Sequence, residues 1–399
     1  MFLELTLALL IGVLAGTITG LTPGIHINLV AAILLSSILL FSKINPLVLS
    51  IFVVSMAITH TFLDFIPSIF LGAPDEDTFL SVLPGHQMLK EGNAHEAVIL
   101  TLYGSLAALG IILIFTPVFI YLIPLIADSI KPIIPFLLIF VSLYLIFREE
   151  YIVAGLCIFI LSGFLGFFAL NLPVKDPLLP LLSGMFGSSA LIISIKNKTK
   201  LKPQKIIKLK DVSITKKEFF KSTISSIISA PLCSFLPGIG SGHAAVIGSE
   251  FIKQSNKGFL ILVGGINTII MGLSFVVVYS IGKTRTGAAA AVKEILKELS
   301  LKDLGIIIAA VIISGILSFV LGIYLSKFFS KYITKINYQK LSIIILIILT
   351  FFIILFSNLI GLIIFITSTA LGIFAILSGT RRINLMGCLL IPTILFYLF

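Results

Sequence analysis

Two turns rich in glycine and proline, each set within apolar sequence, carry residue types suited to binding a small ion. The first runs Gly20-Leu21-Thr22-Pro23-Gly24-Ile25-His26-Ile27-Asn28, and the second runs Ser234-Phe235-Leu236-Pro237-Gly238-Ile239-Gly240-Ser241-Gly242-His243. Proline removes a backbone donor and glycine loosens the backbone, so a helix that enters either turn should break there. Matching breaks in the two halves of a hydrophobic chain indicate the binding site of a transporter.

A helix that restarts after each break would direct its first N–H groups at a cavity, where the helix dipole favours an anion. The predicted substrate-binding residues are Thr22, Pro23, Gly24, His26 and Asn28 in the first turn, and Pro237, Gly238, Gly240, Ser241, Gly242 and His243 in the second. Unwound carbonyls at the same breaks could instead hold Na⁺. Plain helix packing is the alternative interpretation of each residue.

His60 and Asp64 stand four residues apart within an apolar run, which places them on one face of a helix. Ionisable groups at membrane depth are costly and usually face a cavity or each other. We therefore predict an ion-coupling site for H⁺ or Na⁺ here, and we include Asp75 and Asp77 from the acidic segment that follows. A buried hydrogen bond that pins the helix is the alternative. The chain has no His-Glu-x-x-His motif and no evident third ligand, so we expect no metal and no zinc enzyme.

The elements that must position these residues are transmembrane helices. The chain has 399 residues, of which 58% are hydrophobic and only 11% charged, whereas soluble chains carry about a quarter charged residues. The net charge of +11 belongs to loops, where it indicates orientation in the membrane and not nucleic-acid binding. The three cysteines are isolated in apolar runs, which argues against a disulfide framework or a cysteine metal site. A multi-pass protein of the cell membrane is expected.

The apolar runs follow the same order in both halves of the chain: a broken pair, one span, a polar loop and four spans. The first half contains runs at 2–21, 27–41, 47–71, 96–123, 130–147, 151–170 and 177–195, and the second contains runs at 219–236, 243–252, 257–281, 303–326, 341–356, 359–378 and 383–399. Such a repeat predicts a first transmembrane repeat at 1–195, a basic cytoplasmic linker at 196–217 and a second transmembrane repeat at 218–399.

The number of spans sets the relation of the two repeats. A broken or re-entrant pair adds no net crossing, and the five spans that follow are odd in number, so the second repeat should run inverted. Lysine and arginine crowd into three places, which are 196–217, the loop with Lys327, Lys331, Lys335 and Lys340, and Arg381-Arg382. All three fall on one side in this topology, which the positive-inside rule makes cytoplasmic. The predicted fold is an all-α polytopic membrane protein with two inverted-topology repeats.

Three passages resemble the large permease subunit of tripartite tricarboxylate transporters, the TctA family, in a shortened form like its archaeal members. They are Gly20 to Asn28, then Gly72-x-Pro74 with Asp75 and Thr78 leading into Pro84-Gly85-His86-x-Met88-x-Lys90-x-Gly92-x-Ala94, and Leu236 to Gly240. The resemblance covers the chain from the first break to the last spans. It implies a membrane permease for small carboxylates, driven by an ion gradient. It also implies an extracellular binding protein and a small membrane subunit as partners.

The sequence and the resemblance together predict an ion-coupled secondary transporter of small organic anions, of the di- or tricarboxylate class, that works by alternating access without a cofactor beyond the coupling ion. The alternative is a translocase for a lipid phosphate such as polyprenyl phosphate. Two re-entrant turns lined by glycine, serine and histidine, with Lys283 and Arg285 nearby, would suit its head group. A carboxylate predicts a closed, wet central site, and a lipid predicts a lateral opening between helices. No convergent nucleophile, base or metal set that would make an intramembrane enzyme can be assembled.

Overall fold

The structure is a computed structural model that describes residues 1–22, 44–73, 78–198, 201–236, 240–335 and 337–399. The regular structure of these ranges is helical. The helices are α1 Phe2–Leu21, α2 Pro46–Leu63, α3 Phe65–Leu71, α4 Val82–Glu91, α5 Ala94–Ile130, α6 Ile134–Phe147, α7 Ile152–Asn171, α8 Leu178–Leu182, α9 Ser189–Lys196, α10 Lys216–Phe235, α11 Ser241–Phe251, α12 Asn256–Ile281, α13 Gly287–Leu296, α14 Leu301–Ile333, α15 Tyr338–Leu377 and α16 Gly387–Leu398. A π-helical segment, Ser183–Ser188, joins α8 to α9, and a 3₁₀ segment, Arg382–Met386, leads into α16.

Eight helical stretches of the described ranges are long and apolar enough to cross a membrane. They are Phe2–Leu21, Pro46–Leu71, Ala94–Ile126, Ile152–Asn171, Leu178–Lys196, Asn256–Ile281, Leu301–Ile333 and Tyr338–Leu377. A helix needs about 20 apolar residues to cross a bilayer core, so each stretch meets that length closely or exceeds it. The prediction of an all-α, multi-pass membrane protein is confirmed.

Polar side chains fix where several helices begin. Thr215 and Glu218 form a capping box at the start of α10, and Ser300 and Asp303 form one at the start of α14. Ser255 caps α12 by accepting a hydrogen bond from the Gly258 N–H. These side chains satisfy N–H groups that have no partner within the helix, so each helix starts directly after a polar segment.

The centre of the bundle is built from α2, α5 and α12. Every residue in the most apolar 18-residue window of α12 is buried, against about a fifth of the corresponding window of α15. Two glycines bring α5 and α12 together: a Cβ on Gly104 would lie 2.0 Å from the Ile261 carbonyl oxygen, and a Cβ on Gly264 would lie 2.2 Å from that of Thr101. Only glycine allows so close an approach. Polar groups on α2 and α12 therefore lie in the interior, whereas α15 presents apolar side chains outward.

The two polar segments that the sequence predicts as loops each contain a helix of ten residues, α4 and α13. Gly92, with φ +89°, ends α4 in the left-handed conformation that glycine favours. Thr286 begins α13 by accepting a hydrogen bond from the Ala289 N–H. Both helices have one apolar and one polar face, and this amphipathic pattern distinguishes them from unstructured connections.

The linker lies against the first half of the chain. The Lys205 N–H donates to the Gly92 carbonyl oxygen at 2.8 Å. Farther along, Glu96 accepts hydrogen bonds from the Ser213 backbone and hydroxyl and forms an ion pair with Lys257 at 2.7 Å. The linker, the start of α5 and the start of α12 are thus joined at one end of the bundle, which we call the linker end.

Candidate functional site

Several predicted site residues lie outside the described residues: Pro23, Gly24, His26, Asn28, Asp75, Asp77, Pro237 and Gly238. Thr22 is described and ends α1, where its hydroxyl donates to the Ile18 carbonyl oxygen at 2.7 Å. The second turn is described from Gly240 onward, and the His60–Asp64 pair is described in full. The geometry of the candidate site therefore rests on these two groups of residues.

The second break separates α10 from α11, and the two helices run antiparallel. The Ser225 hydroxyl donates to the Gly248 carbonyl oxygen at 2.6 Å, which joins the first half of α10 to the second half of α11. Gly240 occupies the N-cap position of α11 with an extended backbone, φ −104° and ψ −174°. The start of α11 consequently faces away from the linker end.

His243 caps this helix start. The Gly240 N–H donates to His243 Nδ1 at 3.1 Å, so Nδ1 is the acceptor nitrogen and the proton of the neutral ring is on Nε2. Nε2 lies 3.3 Å from the Thr393 hydroxyl of α16. The ring is buried, with 2% of its surface exposed. His243 thus holds the break in place by linking it to its own helix and to α16.

A cavity of about 330 Å³ lies at the break, and we call it the break cavity. Its polar lining comes from Gly240, Gly242, His243 and Arg285. A Cβ on Gly240 would lie 3.2 Å from Arg285 Nη2, so the guanidinium lies directly over the helix start. Ser241 is buried beside the cavity and is not part of its lining. A cationic side chain and a helix N-terminus that converge in one cavity can bind an anion.

The rest of the lining of the break cavity is apolar. It consists of Leu170, Leu178, Leu182, Leu389, Pro392, Thr393 and Phe396, in which Thr393 alone carries a polar side chain. Leu170 and Phe396 are exposed on the outer surface of the bundle, by 41% and 63%. A ligand here would have an anionic group beside Arg285 and an apolar wall on its other side.

The His60–Asp64 pair lies in a polar cluster at the centre of the bundle. Both side chains are buried, with 2% and 4% of their surface exposed. His60 Nδ1 lies 3.1 Å from the Thr19 hydroxyl of α1, and Asn267 of α12 donates from Nδ2 to Asp64 Oδ2 at 2.8 Å. The pair therefore contacts one helix from each half of the chain.

Hydroxyl groups extend this polar cluster between helices. Ser318 of α14 donates to the Thr59 hydroxyl at 2.8 Å, and the Thr61 and Thr268 hydroxyls lie 3.4 Å apart. Carboxylate, amide and hydroxyl oxygens are the ligands that hard cations prefer, and a buried carboxylate can also take up a proton. Over the described ranges, no group of three or more histidine, cysteine, aspartate and glutamate side chains could hold a metal ion.

Sequence reasoning did not include Arg285 among the binding residues, although it considered Arg285 for a lipid head group. The signal was present in the sequence, because the basic segment that holds Arg285 follows the apolar run at 257–281, just as the acidic segment follows the run at 47–71. It also missed Arg382, whose guanidinium donates to the Met185 and Phe186 carbonyl oxygens at 2.8 and 2.7 Å. Both arginines reach their positions through packing between distant helices.

A multi-pass helical bundle with a buried polar cluster and a cationic cavity at a helix break defines an integral membrane protein with a polar interior, the class to which permeases belong. The sequence matches the tripartite tricarboxylate transporter TctA family over residues 6–387. The chain belongs to this family, which confirms the resemblance and the prediction of a membrane transporter component, not an enzyme.

The chain is also similar to an uncharacterized protein of Methanocaldococcus jannaschii, MJ1079. The two are 32% identical over 405 residues, which cover 98% of each chain. No solved structure matches the chain. The family relationship therefore extends over nearly the whole length, from α1 to the start of α16 in the family match and farther in the relative.

Proposed function

We propose that the chain is an ion-coupled secondary transporter of small organic anions, of the di- or tricarboxylate class. The observation that carries the proposal is the position of Arg285 over Gly240 at the start of α11. A carboxylate bound there would accept hydrogen bonds from the guanidinium and from the helix N-terminus. Charge-assisted hydrogen bonds of this kind contribute about 1.5–3 kcal/mol each.

The coupling ion in this proposal is H⁺ or Na⁺, bound at the His60–Asp64 pair. Asp64 is a buried carboxylate that accepts a hydrogen bond from Asn267, and a carboxylate can take up H⁺ or supply oxygen ligands to Na⁺. Because the pair contacts helices from both halves of the chain, the charge bound there can favour one arrangement of the halves over another. Ion binding and anion binding would then be linked.

The mechanism we propose is alternating access by two inverted repeats, 1–195 and 218–399, joined by the linker 196–217. In support, a ten-residue helix and then a long helix follow a buried span in each half of the described chain: α4 and α5 follow α2 and α3, and α13 and α14 follow α12. The antiparallel pair α10 and α11 would be the re-entrant element of the second repeat. Its counterpart in the first repeat would hold the other half of the site.

Uptake into proteoliposomes tests this proposal. We expect citrate or a smaller dicarboxylate to accumulate under an imposed Na⁺ or pH gradient. Arg285→Gln should lower the initial rate at least tenfold, and Lys302→Gln, which removes an exposed positive charge from the start of α14, should not change it. Normal uptake by Arg285→Gln would contradict the proposal. Uptake that requires an added binding protein or small membrane subunit would support a tripartite system.

A lipid-phosphate translocase is the second candidate, and the apolar wall of the break cavity favours it. Leu170 and Phe396 extend this wall to the outer surface, where an acyl or prenyl chain could lie while its phosphate contacts Arg285. Thermal stabilisation of the purified protein separates the two candidates, since a ligand of the folded state raises its apparent stability. Stabilisation by polyprenyl phosphate but not by citrate would favour the lipid.

A further inference from the structure

A second cavity, of about 470 Å³, lies at the other end of α11, and we call it the linker-end cavity. Gly242 and His243, near the start of α11, line the break cavity, whereas Ser249 and Glu250, near its end, line the linker-end cavity. Asn256 also lines it and precedes Lys257, which is bound to the linker through Glu96 and Ser213. The same helix thus connects two separate cavities.

Cationic side chains dominate the linker-end cavity: Arg148, Lys253, Arg381 and Arg382 line it together with one carboxylate, Glu250. Two of the arginines are balanced by acidic partners. Arg148 Nη1 lies 2.6 Å from Glu250 Oε2, and Arg381 lies 2.5 Å from Glu149 and 3.6 Å from Glu250. These pairs account for the carboxylates at the cavity and leave two cationic groups over.

Arg382 and Lys253 are those two groups, since neither forms an ion pair with a carboxylate of the described residues. Arg382 Nη2 donates to two carbonyl oxygens of the π-helical segment Ser183–Ser188 and to the Ser189 hydroxyl, and its guanidinium lies 5.5 Å from the centre of the Phe186 ring. These neutral partners hold the guanidinium in place without cancelling its charge.

Further donors surround the same cavity. Gln254 accepts from the Ser222 hydroxyl at 2.8 Å, while its buried Nε2 has no hydrogen-bond partner. The first residues of α12 form part of the wall, where the helix dipole is positive. Burial and then the Arg382 charge lower the pKa of Lys90 on α4 below its ordinary value, as expected where positive charge is not neutralised. The unpartnered amide N–H of Gln254 and the start of α12 both favour an anion.

We propose that the linker-end cavity is a second anion-binding site, which takes a small oxyanion with two or more carboxylate or phosphate groups. Its volume lies in the range of about 300–1,000 Å³ that is usual for small-molecule sites. Arg382 would bind one anionic group and Lys253 another. The ion pairs of Arg148 and Arg381 with their carboxylate partners fix these two side chains at the wall of the cavity. The binding of an anion in this cavity is independent of the proposed function. Only the identity of this anion with the transported one rests on the proposed function.

The experiment is isothermal titration of the purified full-length protein in detergent with citrate and, separately, with pyrophosphate, which carries two phosphate groups. We expect the wild type to bind an anion at two sites. Arg382→Gln should remove one site, and Lys253→Gln should weaken that site three- to tenfold. Arg285→Gln should affect only the other site. Lys217→Gln, the same change of charge at an exposed position outside both cavities, should affect neither.

The variants separate failure of this proposal from failure of the proposed function. A single site that Arg285→Gln removes and that Lys253→Gln leaves unchanged would overturn the linker-end site. A single site that Lys253→Gln weakens and that Arg285→Gln leaves unchanged would support the linker-end site. It would also contradict the break cavity as the anion site. Arg382 bonds to the backbone and its variant can misfold, so Lys253→Glu, at an exposed position, gives an independent test. Unchanged affinity in Lys253→Glu would contradict the proposal, as would no binding of either anion to the wild type.

Discussion

Alanine at Gly240 and at Gly242 should separate anion binding from stability. A Cβ on Gly242 would lie 2.6 Å from Cζ and 2.9 Å from Cε1 of Phe79. The Phe79 ring is fully buried and its centre lies 4.8 Å from that of Phe186, so the ring has little room to move. A Cβ on Gly240 would touch only Arg285 Nη2, the end of a flexible side chain, at 3.2 Å.

The two changes should have opposite effects. Overpacking at Gly242 costs about 1–3 kcal/mol, and because the ring is confined we expect the upper half of that range. Alanine is more favourable than glycine within a helix by about 1 kcal/mol, which offsets part of this cost. Gly242→Ala should therefore lower the free energy of unfolding by about 1–2 kcal/mol. The backbone angles of Gly240 are ones that alanine adopts without strain, so Gly240→Ala should stabilise the fold by about 0.4–1 kcal/mol through the unfolded state. Because alanine is a poorer N-cap residue than glycine, a destabilisation of similar size should offset this gain.

Gly240→Ala should therefore leave the stability nearly unchanged and act on Arg285. If the displaced guanidinium loses part of a charge-assisted hydrogen bond, about 1 kcal/mol, the anion should bind about fivefold more weakly. Far-UV circular dichroism can follow melting in detergent, since the chain contains no tryptophan for fluorescence. Titration with citrate measures affinity.

Two results would refute this reasoning. If Gly242→Ala melted at the same temperature as the wild type and lost anion binding, Gly242 would serve the ligand and not the packing against Phe79. If Gly240→Ala kept its full affinity, the position of Arg285 over the helix start would not contribute to binding. Expected instead are a lower melting temperature with anion binding retained for Gly242→Ala, and unchanged melting with weaker binding for Gly240→Ala.

Three further predictions concern coupling and stability. Asp64→Asn should abolish the dependence of uptake on the Na⁺ or pH gradient. The protein should stay folded, because asparagine keeps an oxygen that accepts the 2.8 Å hydrogen bond from Asn267. Unchanged ion dependence of uptake into proteoliposomes would exclude Asp64 as the coupling residue. Asn358→Ala should lower the free energy of unfolding by about 1–2 kcal/mol, since Asn358 has φ +60° and its side chain caps the helix that follows. Asn358→Gly should lower it less, because glycine adopts a positive φ without strain. The reverse order of the two melting temperatures would contradict this. Glu149→Gln, which removes the ion pair with Arg381, should lower the free energy of unfolding by about 1–2 kcal/mol. The loss should be smaller than for a fully buried ion pair because the Arg381 side chain is 39% exposed. If added salt did not reduce this loss, its cause would not be ionic.

Most helices could be predicted from the sequence because lipid imposes a strict length on apolar helices. The run at 257–281 corresponds to α12, Asn256–Ile281, and the run at 151–170 corresponds to α7, Ile152–Asn171. The gap between the runs 341–356 and 359–378 marks Asn358, the one residue with non-helical backbone angles inside α15 as described. Each of these features depends on local composition, which a single sequence contains.

The binding geometry could not be predicted in the same way because it depends on contacts between distant segments. All of α12 separates Arg285 from the helix start that it covers. The Gly-rich turn itself was predicted, but the sequence could not distinguish Gly242, which admits the Phe79 ring, from Gly240, which borders Arg285. Likewise, His243 was predicted as a substrate-binding residue, and the structure adds its role as the cap of α11.

The cationic side chains of the linker-end cavity counteract the negative end of α11. α11 has 11 residues and so extends about 16 Å, roughly half of a bilayer core of about 30 Å. Its N-terminus attracts an anion in the break cavity, whereas its C-terminus, at Glu250, carries partial negative charge and a carboxylate and would repel the same anion. Arg148 and Arg381 neutralise the carboxylates, and Arg382 and Lys253 outweigh the dipole. The two proposed sites together would therefore hold an anion at either end of α11, one at the break and the other at the linker end.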